Sequence, residues 1–306
     1  MCYNFMDRRR KKNISSHISA EYGFFVSRIA PLKKGVINEN FRVSTDRGEC
    51  LFKIYNLKRP EEIGFEVEAL QELARHDFPS PRLLVNLKGE ILGVYEDKPC
   101  LAYEFIEGEP VEAWNTNIIQ QVGALMGRMH AVLKDFSNRA RAFTWDHNEI
   151  PRLVRDEGYK MVEAGFPEAR QLLVTLEERL EDVKLPAGLP TGFTHQDIKP
   201  ENVLVKKGRV TGIVDFDNSY YGAFMHDMTT SIIWSCYKNE RLDQSLMESF
   251  LQGYETERPL TAAEREHFEN GLKFRLLREA FISPFAALPH NMDVTKQRSD
   301  YFLRLV

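Results

Sequence analysis

Thr194-His195-Gln196-Asp197-Ile198-Lys199-Pro200-Glu201-Asn202, continued by Val203-Leu204-Val205 and closed by Gly212-Ile213-Val214-Asp215-Phe216-Asp217, decides the fold. Two short β runs, residues 203–205 and 210–214, flank Lys206-Lys207-Gly208-Arg209, and this spacing predicts a hairpin. Antiparallel pairing across that turn carries Asn202 to the end of the second strand, where Asp215 stands. An amide oxygen and a carboxylate then converge. Such hard oxygen donors suit a cation like Mg²⁺, which keeps water and substrate phosphates in its other positions. Asp197, on the preceding loop, is placed to meet a substrate hydroxyl beside that cation.

Upstream, the chain reads as strands. Residues 24–29 are apolar-rich, 41–45 are mixed and 50–55 alternate, with Phe52 and Ile54 on one face and Leu51, Lys53 and Tyr55 on the other, wet face. Asp46-Arg47-Gly48 is a hairpin signal. Phe65, Ala69, Leu70, Leu73 and Ala74 then share one helical face. A strand at 100–105 runs into Glu107-Gly108-Glu109-Pro110, a turn-rich stretch that reads as a hinge. Beyond it Ile119, Val122, Met126, Met129 and Leu133 step by three and four, as do Leu173, Leu176, Leu180 and Val183. Thr261-Ala262-Ala263-Glu264 is a capping box, expected to open a helix carrying Phe268, Leu272, Leu276 and Ala280.

The 306 residues are 43% hydrophobic and 28% charged, which suits a globular protein with a sizeable core rather than a disordered one. A net charge of −4 argues against a general nucleic-acid or anionic-membrane binder. No apolar run reaches the roughly 18 residues a membrane span needs. Cys2, Cys50, Cys100 and Cys236 show no CxxC spacing, so reduced thiols and a cytoplasmic location are expected. Arg8, Arg9, Arg10, Lys11 and Lys12 read as a solvated basic tail. There is no GxxxxGK[ST], GxG, GxSxG or HExxH, which removes the simplest P-loop, dinucleotide, serine-hydrolase and zincin readings.

The HxDxxxxN string followed by Asp-Phe resembles the catalytic loop and metal-binding segment of the protein-kinase-like superfamily. That resemblance implies an α+β, bilobal fold with an N-terminal antiparallel sheet lobe and a larger, mainly helical C-terminal lobe. The expected boundaries are a polar N-terminal segment at 1–20, a nucleotide-binding lobe at 21–107 and a catalytic and acceptor-binding lobe at 108–306. The matching parts are present in order. The loop from Gly35 to Asn40 would cover the phosphates. Lys53 stands where a lysine for the α- and β-phosphates belongs, Glu66 where its helix carboxylate belongs, and Glu104 and Ile106 where an adenine hinge belongs.

Asp215-Phe216 is followed by Asp217 rather than Gly, and no Ala-Pro-Glu follows, so a peptide-docking segment has no room. The compact layout is similar to the small-molecule kinases of the aminoglycoside phosphotransferase and choline kinase group, and most similar to homoserine kinases of that type. Residues 189–192, 200–204 and 226–228 carry that likeness, and the stretch Gly253-Tyr254-Glu-Thr-Glu-Arg258-Pro259-Leu260-Thr261-Ala-Ala-Glu264 carries it most distinctively. Two places depart from it. Gln196-Asp-Ile-Lys199 stands where those kinases usually have Ala-Asp-Leu-Phe, and Asp217, Asn218 and Ser219 stand where they usually carry an aromatic and an alanine.

The resemblance implies transfer of the γ-phosphoryl group of ATP to the hydroxyl of a small molecule, with L-homoserine or a similar hydroxy amino acid as the expected acceptor. Asp197 would accept the proton and Asn202 and Asp215 would hold Mg²⁺. Asp217, Arg275 and Arg278 are acceptor-binding candidates: an arginine for a carboxylate, an aspartate for an amine. An aminoglycoside, a choline-like alcohol or a sugar is the rival acceptor, and a non-catalytic nucleotide-binding module is the rival class. Nothing in the sequence fixes an oligomeric state.

Overall fold

Alternation in the first third of the chain becomes a five-stranded antiparallel sheet. In a computed structural model, which describes residues 8–32, 38–138, 145–288 and 292–306, the strands are β1 (Val26–Pro31), β2 (Glu39–Thr45), β3 (Gly48–Ile54), β4 (Gly93–Tyr95) and β5 (Lys98–Glu104), in the order β1-β2-β3-β5-β4. Thr45 and Gly48 face each other across the Asp46-Arg47 turn. The register sets Lys53 between Asn40 and Leu101, and Phe52 between Phe41 and Ala102.

One face of this sheet buries Phe41, Val43, Phe52 and Ile54 beneath a helix, α1 (Arg8–Tyr22). Ile14, Ile18 and Tyr22, four residues apart, form its buried stripe. Its N-terminal end is tied down where Arg10 pairs with Glu39 at 2.6 Å. Residues 8–20 are thus packed helix rather than a loose polar segment, and Arg10 belongs to the structure rather than to a solvated tail. The opposite face is covered as well. Lys53 is only 4% exposed and Tyr55 is buried, which corrects the expectation of a wet face. Helix α2 (Pro60–Arg75) buries Phe65, Glu66, Ala69, Leu70 and Leu73.

The chain divides into two compact units, Met1–Glu109 with Thr211–Val214, and Pro110–Val210 with Asp215–Val306. The second is mainly helical. After the two-residue strand β6 (Glu109–Pro110) come α3 (Thr116–Val132), α4 (Glu149–Glu157), α5 (Tyr159–Glu163) and α6 (Ala169–Asp182). Strand β7 (Thr191–Thr194) leads into the candidate catalytic loop, and β8 (Val203–Lys206) and β9 (Arg209–Ile213) form the expected hairpin, turning through Lys207 and Gly208 at positive φ. Strand β10 (Tyr220–Ala223) pairs antiparallel with β7 and runs directly into α7 (Phe224–Ser235). The short strands β11 (Tyr237–Lys238) and β12 (Arg241–Leu242) precede α8 (Gln244–Glu257), α9 (Ala262–Glu266), α10 (Phe268–Phe285) and α11 (Met292–Leu305). The capping box is present, with Thr261 accepting from the Glu264 N–H, but it opens the five-residue α9. The chain leaves the helix at His267, and Phe268 starts a separate one.

Helices α3 and α8 are neighbours at unusually short range. A methyl group on Gly123 would overlap the carbonyl of Phe250, and one on Gly253 would overlap the carbonyl of Gln120. Gly64 in α2 faces open space instead. Gly253→Ala should therefore lose at least ~2 kcal/mol, within the overpacking range, while Gly64→Ala should gain about 0.5–1 kcal/mol from the better helix former. Urea melts of the two variants check this. Equal stabilities would contradict the close helix contact.

Candidate active site

In the first unit, β3 and α2 bring Lys53 and Glu66 into one buried polar cluster. The Tyr55 hydroxyl donates to Glu66 Oε2 at 3.1 Å and the Tyr103 hydroxyl to Oε1 at 3.1 Å. The two hydroxyls are 2.9 Å apart. Lys53 Nζ sits 4.8 Å from the centre of the Tyr55 ring, and both Lys53 and Glu66 act electrostatically on Tyr103. Burial pushes the Tyr103 hydroxyl well above its ordinary range, so it stays a proton donor. Asn40 lies opposite Lys53 in the sheet. Gly35 lies outside the described residues. Glu104 is exposed at the end of β5, its N–H donating to the Arg82 carbonyl at 2.8 Å, and Ile106 packs over Gly212.

In the second unit the loop after β7 is fixed by one residue, Asp227 of α7. Its Oδ2 accepts from the backbone N–H of His195 at 2.8 Å and its Oδ1 from that of Gln196 at 2.7 Å. His130 of α3 adds a third contact, Nε2 to Oδ2 at 3.0 Å. Burial keeps His130 below its ordinary pKa, so the ring is neutral, its Nε2–H donating to Asp227 and its Nδ1 accepting from the Tyr254 hydroxyl at 2.7 Å. Arg258 donates to the Tyr254 oxygen at 2.9 Å and to Glu264 at 3.1 Å. Burial alone would raise Asp227; the hydrogen bonds from His130 and the His195 N–H hold it below the ordinary carboxylate range. Residues 253–264 thus serve as a brace that runs from α8 through His130 to the loop.

The loop holds Asp197 among donors. Asn202 Nδ2 donates to the Asp197 carbonyl at 2.8 Å and to its Oδ2 at 3.0 Å. Both amide hydrogens are committed there, so the amide oxygen is the end turned away from Asp197. Lys199 Nζ lies 2.7 Å from Asp197 Oδ1. His195 is buried against Phe216, and its Nδ1 accepts from the Asp197 N–H at 3.3 Å, the geometry of a brace. Burial raises the Asp197 carboxyl above its ordinary range; Lys199 and His195 oppose this, and Asp215 adds to it. Asp215 is exposed, with φ +67, at the start of a 3₁₀ turn, Phe216–Asn218, which carries the half-buried Asp217.

Arg275 and Arg278 of α10 are buried rather than displayed. Arg275 donates to Gln196 Oε1 at 3.1 Å and pairs with Glu279 at 2.9 Å; Arg278 pairs with Glu279 at 2.5 Å and donates to the Trp145 carbonyl at 2.9 Å. Burial pushes Arg275 down to about 10. Glu279 is held below the ordinary range by the two arginines against the opposing effect of burial. Among the described residues, the buried atoms of this unit that lack a hydrogen-bond partner include Gln196 Nε2, Arg275 Nε and the Tyr220 hydroxyl. Each unmatched buried polar group costs about 1–3 kcal/mol.

Residues 28–267 match the model of the phosphotransferase enzyme family, and the chain belongs to that family. It is similar to the homoserine kinase of Neisseria meningitidis serogroup B, 26% identical over 252 residues that span 81% of this chain and 79% of that one. It is also similar to the homoserine kinase of Pseudomonas aeruginosa strain LESB58, 27% identical over 250 residues spanning 81% and 77%. Among solved structures, an amicoumacin kinase in complex with AMP-PNP, Ca²⁺ and Ami superposes with a TM-score of 0.73 at 18% identity, covering 96% of this chain and 92% of that one. A spectinomycin phosphotransferase with ADP and spectinomycin gives 0.64 at 13% identity, covering 97% and 94%. The chain has the kinase-like fold of these structures and is a phosphotransferase. Among the described residues no helix is long and apolar enough to cross a membrane.

Roles the sequence did not disclose fall to Asp227, His130 and Tyr254. Their only local signals are the His226-Asp227-Met228 string and the 253–264 stretch. The raised Asp197 carboxyl has a measurable consequence. Folding favours its protonated form, so ionisation opposes folding as pH rises from the ordinary carboxyl range through the raised value. Asp197→Asn should melt higher than the parent at pH 7.5, with the difference closing as the pH is lowered toward 4. A variant that melts lower at pH 7.5 would contradict this electrostatic account.

Proposed function

We propose that the chain transfers the γ-phosphoryl group of ATP to the hydroxyl of a small molecule, with Asp197 accepting the proton of that hydroxyl. The observation that carries this reading is the buried Asp197, hydrogen-bonded by Asn202 and paired with Lys199, in a member of a phosphotransferase family. The residues present fit a divalent cation. Asn202, whose amide nitrogen holds Asp197, offers its amide oxygen, and Asp215, which acts electrostatically on Asp197, offers an exposed carboxylate; these hard donors suit Mg²⁺, which keeps water and phosphate oxygens around it. Among the described residues no cluster of three His, Cys, Asp or Glu competes for such an ion. The cation would neutralise charge on the transferring phosphoryl group.

In the same reading Lys53 holds the α- and β-phosphates, Glu66 orients Lys53, Glu104 and Ile106 receive the adenine, and the loop from Gly35 to Asn40 covers the phosphates. The two tyrosine hydroxyls on Glu66 hold its carboxylate in place. A raised pKa gives a base greater proton affinity.

L-Homoserine or a close hydroxy amino acid is the acceptor this reading favours, with an arginine of α10 for its carboxylate and Asp217 for its amine. Support comes from the homoserine kinases it resembles and from charge: Lys199, Arg275 and Arg278 gather about Glu279. Polycationic aminoglycosides would need the opposite balance. An ADP-release assay over L-homoserine, choline and kanamycin should rank L-homoserine or a close hydroxy amino acid first; kanamycin or choline ahead of it would overturn the acceptor assignment.

Two further results are expected. Asp197→Asn should cut kcat by roughly 10²–10⁴-fold with ATP affinity little changed, whereas Asp215→Asn should raise the Mg²⁺ requirement as well; single-turnover kinetics with ATP titration separates them. Because Lys53 is buried, Lys53→Met, which keeps the apolar stem, is the variant that isolates its charge. It should fold and lose productive ATP binding. Unchanged ATP kinetics would remove Lys53 from the site.

A further inference from the structure

Gln196 occupies a position that its backbone geometry does not favour. Its φ is +66, in the left-handed region where glycine is the ordinary occupant. The chain is held there by the Gln196 N–H on Asp227. A glycine would take this turn without strain, yet the position carries a long amide side chain, and that side chain is 4% exposed. Strain retained at a functional loop calls for a role for the side chain that incurs it.

The amide is half satisfied. Gln196 Oε1 accepts from Arg275 Nη1 at 3.1 Å, and Nε2 has no partner. Arg275, 3% exposed, uses its two terminal nitrogens on Gln196 and Glu279 and leaves Nε unmatched. The Tyr220 hydroxyl, on which Arg275 and Arg278 both act, is unmatched too. Arg275 in turn acts on Asp197, the neighbour of Gln196 in the chain. Gln196 Nε2 and Arg275 Nε are thus two unmatched donors, and the Tyr220 hydroxyl can supply a third. A carboxylate brings only acceptors and satisfies them. An ammonium group would add donors to donors.

We infer that Gln196 is an acceptor-specificity residue, its Nε2 together with Arg275 taking the carboxylate of the alcohol that Asp197 deprotonates. The inference rests on the proposed transfer to a small alcohol and narrows the acceptor to a hydroxy acid. It also assigns a purpose to Gln196, where the homoserine kinases it resembles usually have alanine.

Gln196→Glu keeps the length, the backbone demand and an oxygen toward Arg275, but replaces the donor with an acceptor. The assay is steady-state kinetics on L-homoserine, L-serine and L-threonine, each beside the same alcohol without its carboxylate: 3-aminopropan-1-ol, ethanolamine and 1-aminopropan-2-ol. The parent should prefer the hydroxy acids. In Gln196→Glu the ratio of kcat/KM between the preferred acid and its partner should fall at least tenfold, through the KM of the acceptor rather than of ATP. Gln196→Gly is the second variant; it relieves the positive φ, should melt no lower than the parent, and should lose the same discrimination. An equal loss on both members of a pair would mean that the donors serve the transferring phosphoryl group, and would overturn the inference, as would a parent that prefers the amino alcohols or an aminoglycoside. Transfer to no alcohol at all would instead bring down the proposed function, and this inference with it.

Discussion

The carboxylate of Asp227 is the contact on which the second unit depends. It is a buried charge, and a buried charge is tolerable only when its lone pairs are matched. Two go to consecutive backbone N–H groups of the loop and one to a neutral histidine. Removing one partner of such a set typically costs about 3–5 kcal/mol. The result is a loop whose position is dictated by α7 rather than by its own propensity, and the positive φ at Gln196 persists because Asp227 over-determines it. The brace extends outward through His130 to Tyr254 and Arg258. Tyr254 reaches His130 because Gly123 and Gly253 let α3 and α8 approach closely. A stretch of sequence that carries a family likeness is, physically, the mount of the loop.

Much of this was legible in local spacing. The hairpin at 203–214, the strand alternation around Lys53, the α2 face and the capping box are all short-range patterns. Asn202 stands five residues after Asp197, and the structure shows two hydrogen bonds between them. Long-range contacts were not legible. Asp227 lies about thirty residues beyond the N–H groups it holds, and Tyr254 is farther still from His130. The α1 helix was missed because only three of its residues, spaced by four, are buried, and the charged residues at its start mask that stripe. Lys53 was read as wet because alternation alone does not reveal that Tyr55, Tyr103 and Glu66 roof the second face.

Stability and chemistry pull in opposite directions around Asp197. Its carboxyl is buried and its pKa raised, which disfavours the ionised form that the proposed role as base requires. Lys199 at 2.7 Å offsets part of this. The arginines of α10 show the same tension. They are buried with a single glutamate between them, and Arg275 is driven down to about 10. Such an arrangement is poor as scaffold and well suited to receive an anion.

Phosphorus-31 NMR of the reaction mixture tests the central claim most directly. With ATP, Mg²⁺ and L-homoserine, the account predicts a phosphomonoester resonance that grows in step with ADP, and its absence when Asp197 is replaced by asparagine. ADP accompanied only by inorganic phosphate, or a phosphomonoester formed at the same rate by the Asp197→Asn variant, would contradict it.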